Sequence, residues 1–162
     1  MTERKKRRKH LRPWAKMALQ FIIIFASVFV LTRCLFMPYI VSGQSMVPTL
    51  KENTLGVADR VYGDINRFDI VVAKYDVLSD RYVIKRVVGL PNETIAFRNN
   101  ALYIDGKYVE QSYFNNVDDF TVTLDENSYF LMGDNTAISL DSRIVGPINK
   151  KNIIAVSMWY TK

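Results

Sequence analysis

The apolar residues of this chain fall into two patterns. From Met17 to Thr32 the sequence reads MALQFIIIFASVFVLT, sixteen residues without a charge. As a helix that run is about 24 Å long, somewhat short of a hydrocarbon core of about 30 Å. Lys16 and Arg33 can extend their stems toward the headgroups, and Leu35, Phe36 and Met37 lengthen the apolar stretch. Trp14 and Tyr39 bracket it in the manner of interfacial anchors. The pattern predicts a transmembrane anchor over residues 17–37. A cleavable signal would also begin basic and apolar, but the exit TRCLFMPYIV offers no small-x-small cleavage site.

Past Tyr39 no stretch keeps a helical apolar rhythm. Short runs rich in Val, Ile, Tyr and Phe take over: TLGVADRVY, FDIVVAKY, YVIKRVVGL, ETIAFR, ALYIDGKYV, FTVTL, SYFLMGD and IIAVSMWY. Turn signals separate them, among them Asn99-Asn100, Leu90-Pro91-Asn92 and Gly146-Pro147, with Asp105-Gly106 the clearest tight hairpin. The expected fold is therefore mainly β, an antiparallel sandwich or partly closed barrel carrying one N-terminal transmembrane helix.

Charge refines this picture. Of a net +6, residues 1–16 contribute +7, since Arg4, Lys5, Lys6, Arg7, Arg8, Lys9, Arg12 and Lys16 face only Glu3. The remainder is close to neutral, so the high isoelectric point does not mark the folded part as a nucleic-acid binder. A basic flank of this kind stays cytoplasmic. The expected organisation is a basic cytoplasmic tail at 1–16, the anchor at 17–37 and an extracytoplasmic β domain at 38–162. One cysteine, Cys34, and one histidine, His10, leave no disulfide framework and no material for a zinc site. No Gly-rich phosphate loop is present, and neither metal nor cofactor is expected.

Both His10 and Cys34 lie outside the β domain, so a hydrolase built there must activate its nucleophile differently. A serine activated by a lysine is the economical solution. SGQSMVPTL offers Ser45, with Gly43 permitting a backbone that a side chain would forbid and Pro48-Thr49 turning the chain soon after. YVIKRVVGL offers Lys85, flanked on its own strand face by Val83 and Val87, where desolvation would lower its pKa. Arg86, on the opposite face, is expected to be solvated. A third cluster, GDNTAISLDSR at 133–143, suggests an Asp141–Arg143 ion pair with Asp134 as a second acceptor for that guanidinium. Read alone, each cluster could equally be a polar turn, an edge strand or a surface loop.

In this order, and behind an N-terminal anchor, the clusters closely resemble the type I bacterial signal peptidases, with SGQSMVPTL, RFDIVV, YVIKRVVGLPNE and GDNTAISLDSR matching successive boxes of that family. The resemblance implies a membrane-anchored serine endopeptidase that removes signal peptides from exported preproteins with a Ser/Lys dyad. It makes Ser45 the nucleophile, Lys85 the general base and Ser139 the hydroxyl that holds the lysine amine. Asp134, Asp141 and Arg143 become structural supports, while Val41, Leu50 and Ile84 line the pockets for small substrate side chains. Some members carry a serine where this chain has Gly43, and use its hydroxyl to complete the oxyanion hole. The implied partners are signal peptides and the lipid bilayer of the bacterial cell membrane, with the protein acting as a monomer. The alternative is an inactive homologue serving as a membrane scaffold or binding module.

Overall fold

The computed structural model describes residues 12–75 and 81–161. The basic tail expected at 1–16 lies mostly outside the described residues. The first element is a helix, α1 (Pro13–Leu35), with proline at its first position, where a missing N–H costs nothing. None of its residues is buried, and its mean hydropathy of 2.1 and its length meet the requirements of a membrane span. It starts earlier and ends earlier than the apolar run suggested, because Phe36 and Met37 leave the helix for a strand.

The body that follows is all antiparallel. Its larger sheet has the order β1-β2-β11-β3-β4-β9-β10 and curls into a half-barrel. Here β1 is Phe36–Ile40, β2 Leu55–Asp59, β3 Ile70–Lys74, β4 Tyr82–Gly89, β9 Ser128–Met132, β10 Ile148–Asn149 and β11 Ile153–Tyr160. The smaller sheet has the order β7-β6-β5-β8, with β5 Thr94–Arg98, β6 Ala101–Ile104, β7 Lys107–Val109 and β8 Phe120–Thr123. A short helix, α2 (Ser142–Val145), and a single 3-10 turn, Lys150–Asn152, precede the last strand. The expected mainly β fold with one N-terminal apolar helix is what the chain forms.

The turns follow from their residues. Asp105 and Gly106 both have positive φ, 50° and 78°, and close the hairpin between β6 and β7. Asn99 and Asn100 do the same between β5 and β6, at 49° and 65°. Both are two-residue turns with the sense of twist that antiparallel strands favour.

Three apolar clusters hold the body together. Val88, Phe130 and Met132 of the larger sheet pack on Ile95, Phe97 and Leu102 of the smaller. On the opposite face, Val87, Tyr129 and Leu131 join Val71, Tyr75 and Ile153. Tyr39, Val41, Met46 and Leu50 pack with Ala58, Val72 and Ala155 beside the first strands. β9 and the second half of β4 are thus buried on both faces, which is why SYFLM and KRVVG read as continuous rather than alternating runs.

Candidate active site

The segment after β1 is pinned at both ends. The Val41 N–H donates to the Thr54 carbonyl at 2.9 Å, and the Asn53 N–H donates to the Val41 carbonyl at 2.9 Å. Gly43 has φ of +93°, a region that glycine enters without strain. The chain then turns, with the Val47 N–H on Gln44 O at 3.2 Å and the Leu50 N–H on Met46 O at 2.8 Å. Met46 and Leu50 are fully buried, so the turn is anchored by its apolar side chains while Ser45 stays partly exposed. From the other side, the Asn135 N–H donates to Ser45 O at 3.0 Å and its Nδ2 to Gln44 O at 3.2 Å.

Lys85 reaches this turn from β4. Its Nζ lies 2.7 Å from Ser45 Oγ, and the residue is only 4% exposed. Burial pushes its pKa down to about 8, against the opposing pull of the Asp141 and Asp134 carboxylates, while the Arg143 guanidinium adds to the lowering. Two side chains 40 positions apart in sequence meet because the Ser45 turn folds over the first half of β4.

Arg86 differs from the solvated edge residue that the sequence suggested. It is 4% exposed, since β4 is flanked by β3 and β9 and covered on both faces. Its Nε donates to Asp134 Oδ1 at 2.8 Å and its Nη2 to Asp134 Oδ2 at 2.7 Å. Nη1 donates to the Phe68 carbonyl at 2.8 Å, Nη2 also reaches Thr49 Oγ1 at 3.2 Å, and the Tyr113 ring lies 3.7 Å from the guanidinium carbon. Thr49 in turn donates to Asp134. Asp134 therefore serves Arg86 and not Arg143, which corrects the expected second acceptor. The joining of Thr49, Arg86 and Tyr113 around Asp134 escaped the sequence reading, because a cation inside an apolar strand carries no sign of its partner.

Asp141 and Arg143 do pair, with Nε to Oδ1 at 2.9 Å and Nη2 to Oδ2 at 2.9 Å. Asp141 also caps α2 through the Arg143 N–H and accepts the Gly133 N–H at 3.0 Å, so it fixes both ends of the 133–143 loop. Ser139 is buried in that loop, but its Oγ has no hydrogen-bond partner among the described residues. The expected contact with the Lys85 amine is not formed. Ser139 Oγ instead lies against Gly133, where a Cβ would sit 2.2 Å from it and 2.5 Å from Ser45 O. Gly133 is thus a second residue that the sequence reading passed over. Only a glycine lets the Ser45 turn and the 133–143 loop approach so closely.

Ser45 and Lys85 open onto a cavity of about 310 Å³, lined also by Val41, Ile84, Met37 and Tyr82. Val41 and Ile84 stand where small substrate side chains were expected to lodge. Leu50 does not line this cavity; it packs with Val41 and Met46 in the core. A larger cavity of about 690 Å³, bordered by Phe120, Ile138 and Arg143, includes neither Ser45 nor Lys85.

A family model described as "Signal peptidase, peptidase S26" matches residues 14–160. The chain belongs to the signal peptidase family, peptidase S26. It is 34% identical to signal peptidase I S of Bacillus subtilis strain 168, over 96% of this chain and 91% of the relative. It is 36% identical to signal peptidase I of Bacillus licheniformis, over 98% and 94% respectively. Among solved structures, a signal peptidase I from Enterococcus faecalis V583 matches with a TM-score of 0.54 and 31% identity, covering 58% of this chain and 97% of that one. The protein is a type I signal peptidase, a serine endopeptidase that cleaves signal peptides, and an inactive scaffold is not favoured. Its apolar N-terminal helix fits membrane anchoring.

Proposed function

We propose that this signal peptidase works through Ser45 as nucleophile and Lys85 as general base. The observation that carries the reading is the 2.7 Å contact between Lys85 Nζ and Ser45 Oγ in a site that buries the amine. With a pKa of about 8, roughly a tenth of the lysine is neutral at pH 7. At an ordinary value near 10.5 only about three in ten thousand would be. Neutral Lys85 takes the Ser45 hydroxyl proton as Oγ bonds to the scissile carbonyl carbon. The oxyanion forms beside the Ser45 N–H, and the lysine proton then passes to the amine of the departing mature chain as the C–N bond breaks. A water enters, gives its proton to Lys85 and attacks the ester. Collapse releases the signal peptide, and the proton returns to Ser45 Oγ.

Supporting roles follow from position. Asp134, with Arg86, and Asp141, with Arg143, hold the Ser45 turn and the 133–143 loop in register. Ser139 supplies a buried hydroxyl with spare hydrogen-bonding capacity next to the Ser45 main chain, which suits it to orient the lysine amine during the reaction. Val41 and Ile84 form the shallow walls against which small side chains lodge.

The topology we propose places the basic tail in the cytoplasm and the β body outside. Ile40, Leu55, Met158 and Trp159 are exposed apolar side chains on β1, β2 and β11, three neighbouring strands. Such a face suits contact with lipid. One chain holds the whole dyad and its cavity, which supports a monomer as the working unit. The test is processing of a preprotein by the full-length protein in detergent, beside Ser45→Ala and Lys85→Ala. Cleavage by the unaltered protein alone supports the dyad; equal cleavage by all three rejects it.

A further inference from the structure

We propose that Asn135 is a positioning residue that orients and polarises the Ser45 N–H for the oxyanion. The inference rests on Ser45 being the nucleophile and names what holds the donor that its oxyanion needs.

The donor in question belongs to the main chain. Gly43 has no side chain to offer one, and among the described residues the Ser45 N–H donates to no protein acceptor. It is therefore available to a developing negative charge. A single N–H serves that purpose well only if its direction is fixed before the reaction begins. That direction is set by the plane of the Gln44–Ser45 peptide.

Asn135 grips this peptide from a distant part of the chain. Its Nδ2 donates to the Gln44 carbonyl at 3.2 Å, and its N–H donates to the Ser45 carbonyl at 3.0 Å. One residue thus holds both peptides that flank the Ser45 Cα. The Gln44 oxygen also accepts the Val47 N–H at 3.2 Å, so both of its lone pairs are engaged. The Val47 bond lies within the turn and moves with it, whereas Asn135 ties the turn to the 133–143 loop. Asn135 is itself held. Its neighbour Asp134 is locked to Arg86 by the buried ion pair, and its own carbonyl accepts the Ser139 N–H at 3.1 Å.

The side-chain bond also has an electronic consequence. A donor on the Gln44 oxygen draws charge along the amide and makes the N–H at its other end a stronger donor. The benefit grows as charge builds on the oxyanion, so it favours the transition state over the bound substrate. The Asn135 main-chain bond acts on the peptide after Ser45 and survives any side-chain substitution.

The test uses the full-length protein in detergent, with Asn135→Ala and the near-isosteric Asn135→Asp. Both variants keep the main-chain N–H and lose the Nδ2 donor. Each is expected to lower kcat on a signal-peptide substrate about tenfold while KM stays within about twofold. The same proteins are titrated with a signal-peptide aldehyde that ends at the cut, and with the matching alcohol. The aldehyde carbon bonds to Ser45 Oγ as the hydroxyl proton passes to Lys85, which leaves the former carbonyl oxygen in the oxyanion position; the alcohol forms no such bond. In the variants the aldehyde is expected to bind about tenfold more weakly and the alcohol within about twofold of the unaltered protein. A kcat reduced less than twofold in both variants, or an equal loss of affinity for aldehyde and alcohol, would overturn the inference. An aldehyde that the unaltered protein binds no more tightly than Ser45→Ala does would overturn the assignment of Ser45, and this inference with it.

Discussion

Arg86 and Asp134 form a bidentate ion pair, 2.8 and 2.7 Å, almost wholly removed from solvent and one residue along the strand from Lys85. Through Thr49 the same pair reaches the turn that carries Ser45. Asp134 thus links the Ser45 turn, the Lys85 strand and the 133–143 loop at one carboxylate.

Breaking the pair from one side leaves a buried charge without its counter-ion. Arg86→Met and Asp134→Asn are each expected to destabilise the protein by about 3–5 kcal/mol, and to lower activity as the Ser45 turn loosens. Denaturant unfolding in detergent measures the first effect, and a loss under 1 kcal/mol for both variants would mean that the pair is not structural.

Gly133 is where two loops nearly touch. Gly133→Ala is expected to cost about 1–3 kcal/mol and most of the activity, because its Cβ would overlap both Ser139 Oγ and Ser45 O. Adding Ser139→Ala should recover only part of the stability, since the clash with the Ser45 carbonyl remains. Full recovery in the double variant would show that the close main-chain approach is not required.

Lys85, the proposed general base, should weaken the fold. Its pKa falls from 10.5 in the unfolded chain to about 8 in the folded one, so between those values the unfolded state binds more protons. Stability therefore rises with pH across that window, and below pH 8 the whole cost is present, about 3 kcal/mol. Lys85→Met is expected to be inactive yet more stable at pH 7 by up to that amount, with the advantage fading toward pH 10.5. Unfolding midpoints at several pH values check this; a pH-independent difference would contradict it.

Much of this architecture was legible in the sequence because its signals are local. Asp105-Gly106 demands positive φ at both positions, and Met17–Thr32 has no charge to place in water. What escaped depends on neighbours distant in the chain. Phe36 and Met37 read as a continuation of the anchor, yet they pair in register with Asp59 and Ala58 of β2, a partner some twenty positions further on. Arg86 read as solvated because nothing nearby in sequence names Asp134, 48 positions on. Leu50 read as a pocket wall, whereas its turn aims it into the core.

As a proposed pocket wall, Ile84 is expected to couple specificity to acidity. It lines the cavity shared by Ser45 and Lys85, and a polar replacement admits water toward the amine. Ile84→Ser is expected to accept larger side chains at the third position before the cut. It should also move the acid limb of the pH–rate profile upward, toward the ordinary lysine value, because less desolvation means less lowering. Relaxed specificity with an unmoved limb would separate the two functions.

The pH dependence of kcat/KM for the full-length protein on a preprotein substrate bears most directly on the role of Lys85. If the neutral amine is the base, activity rises with pH along a limb centred at about 8. A limb centred near 10.5, or substantial cleavage retained by Lys85→Met across the same range, would contradict it.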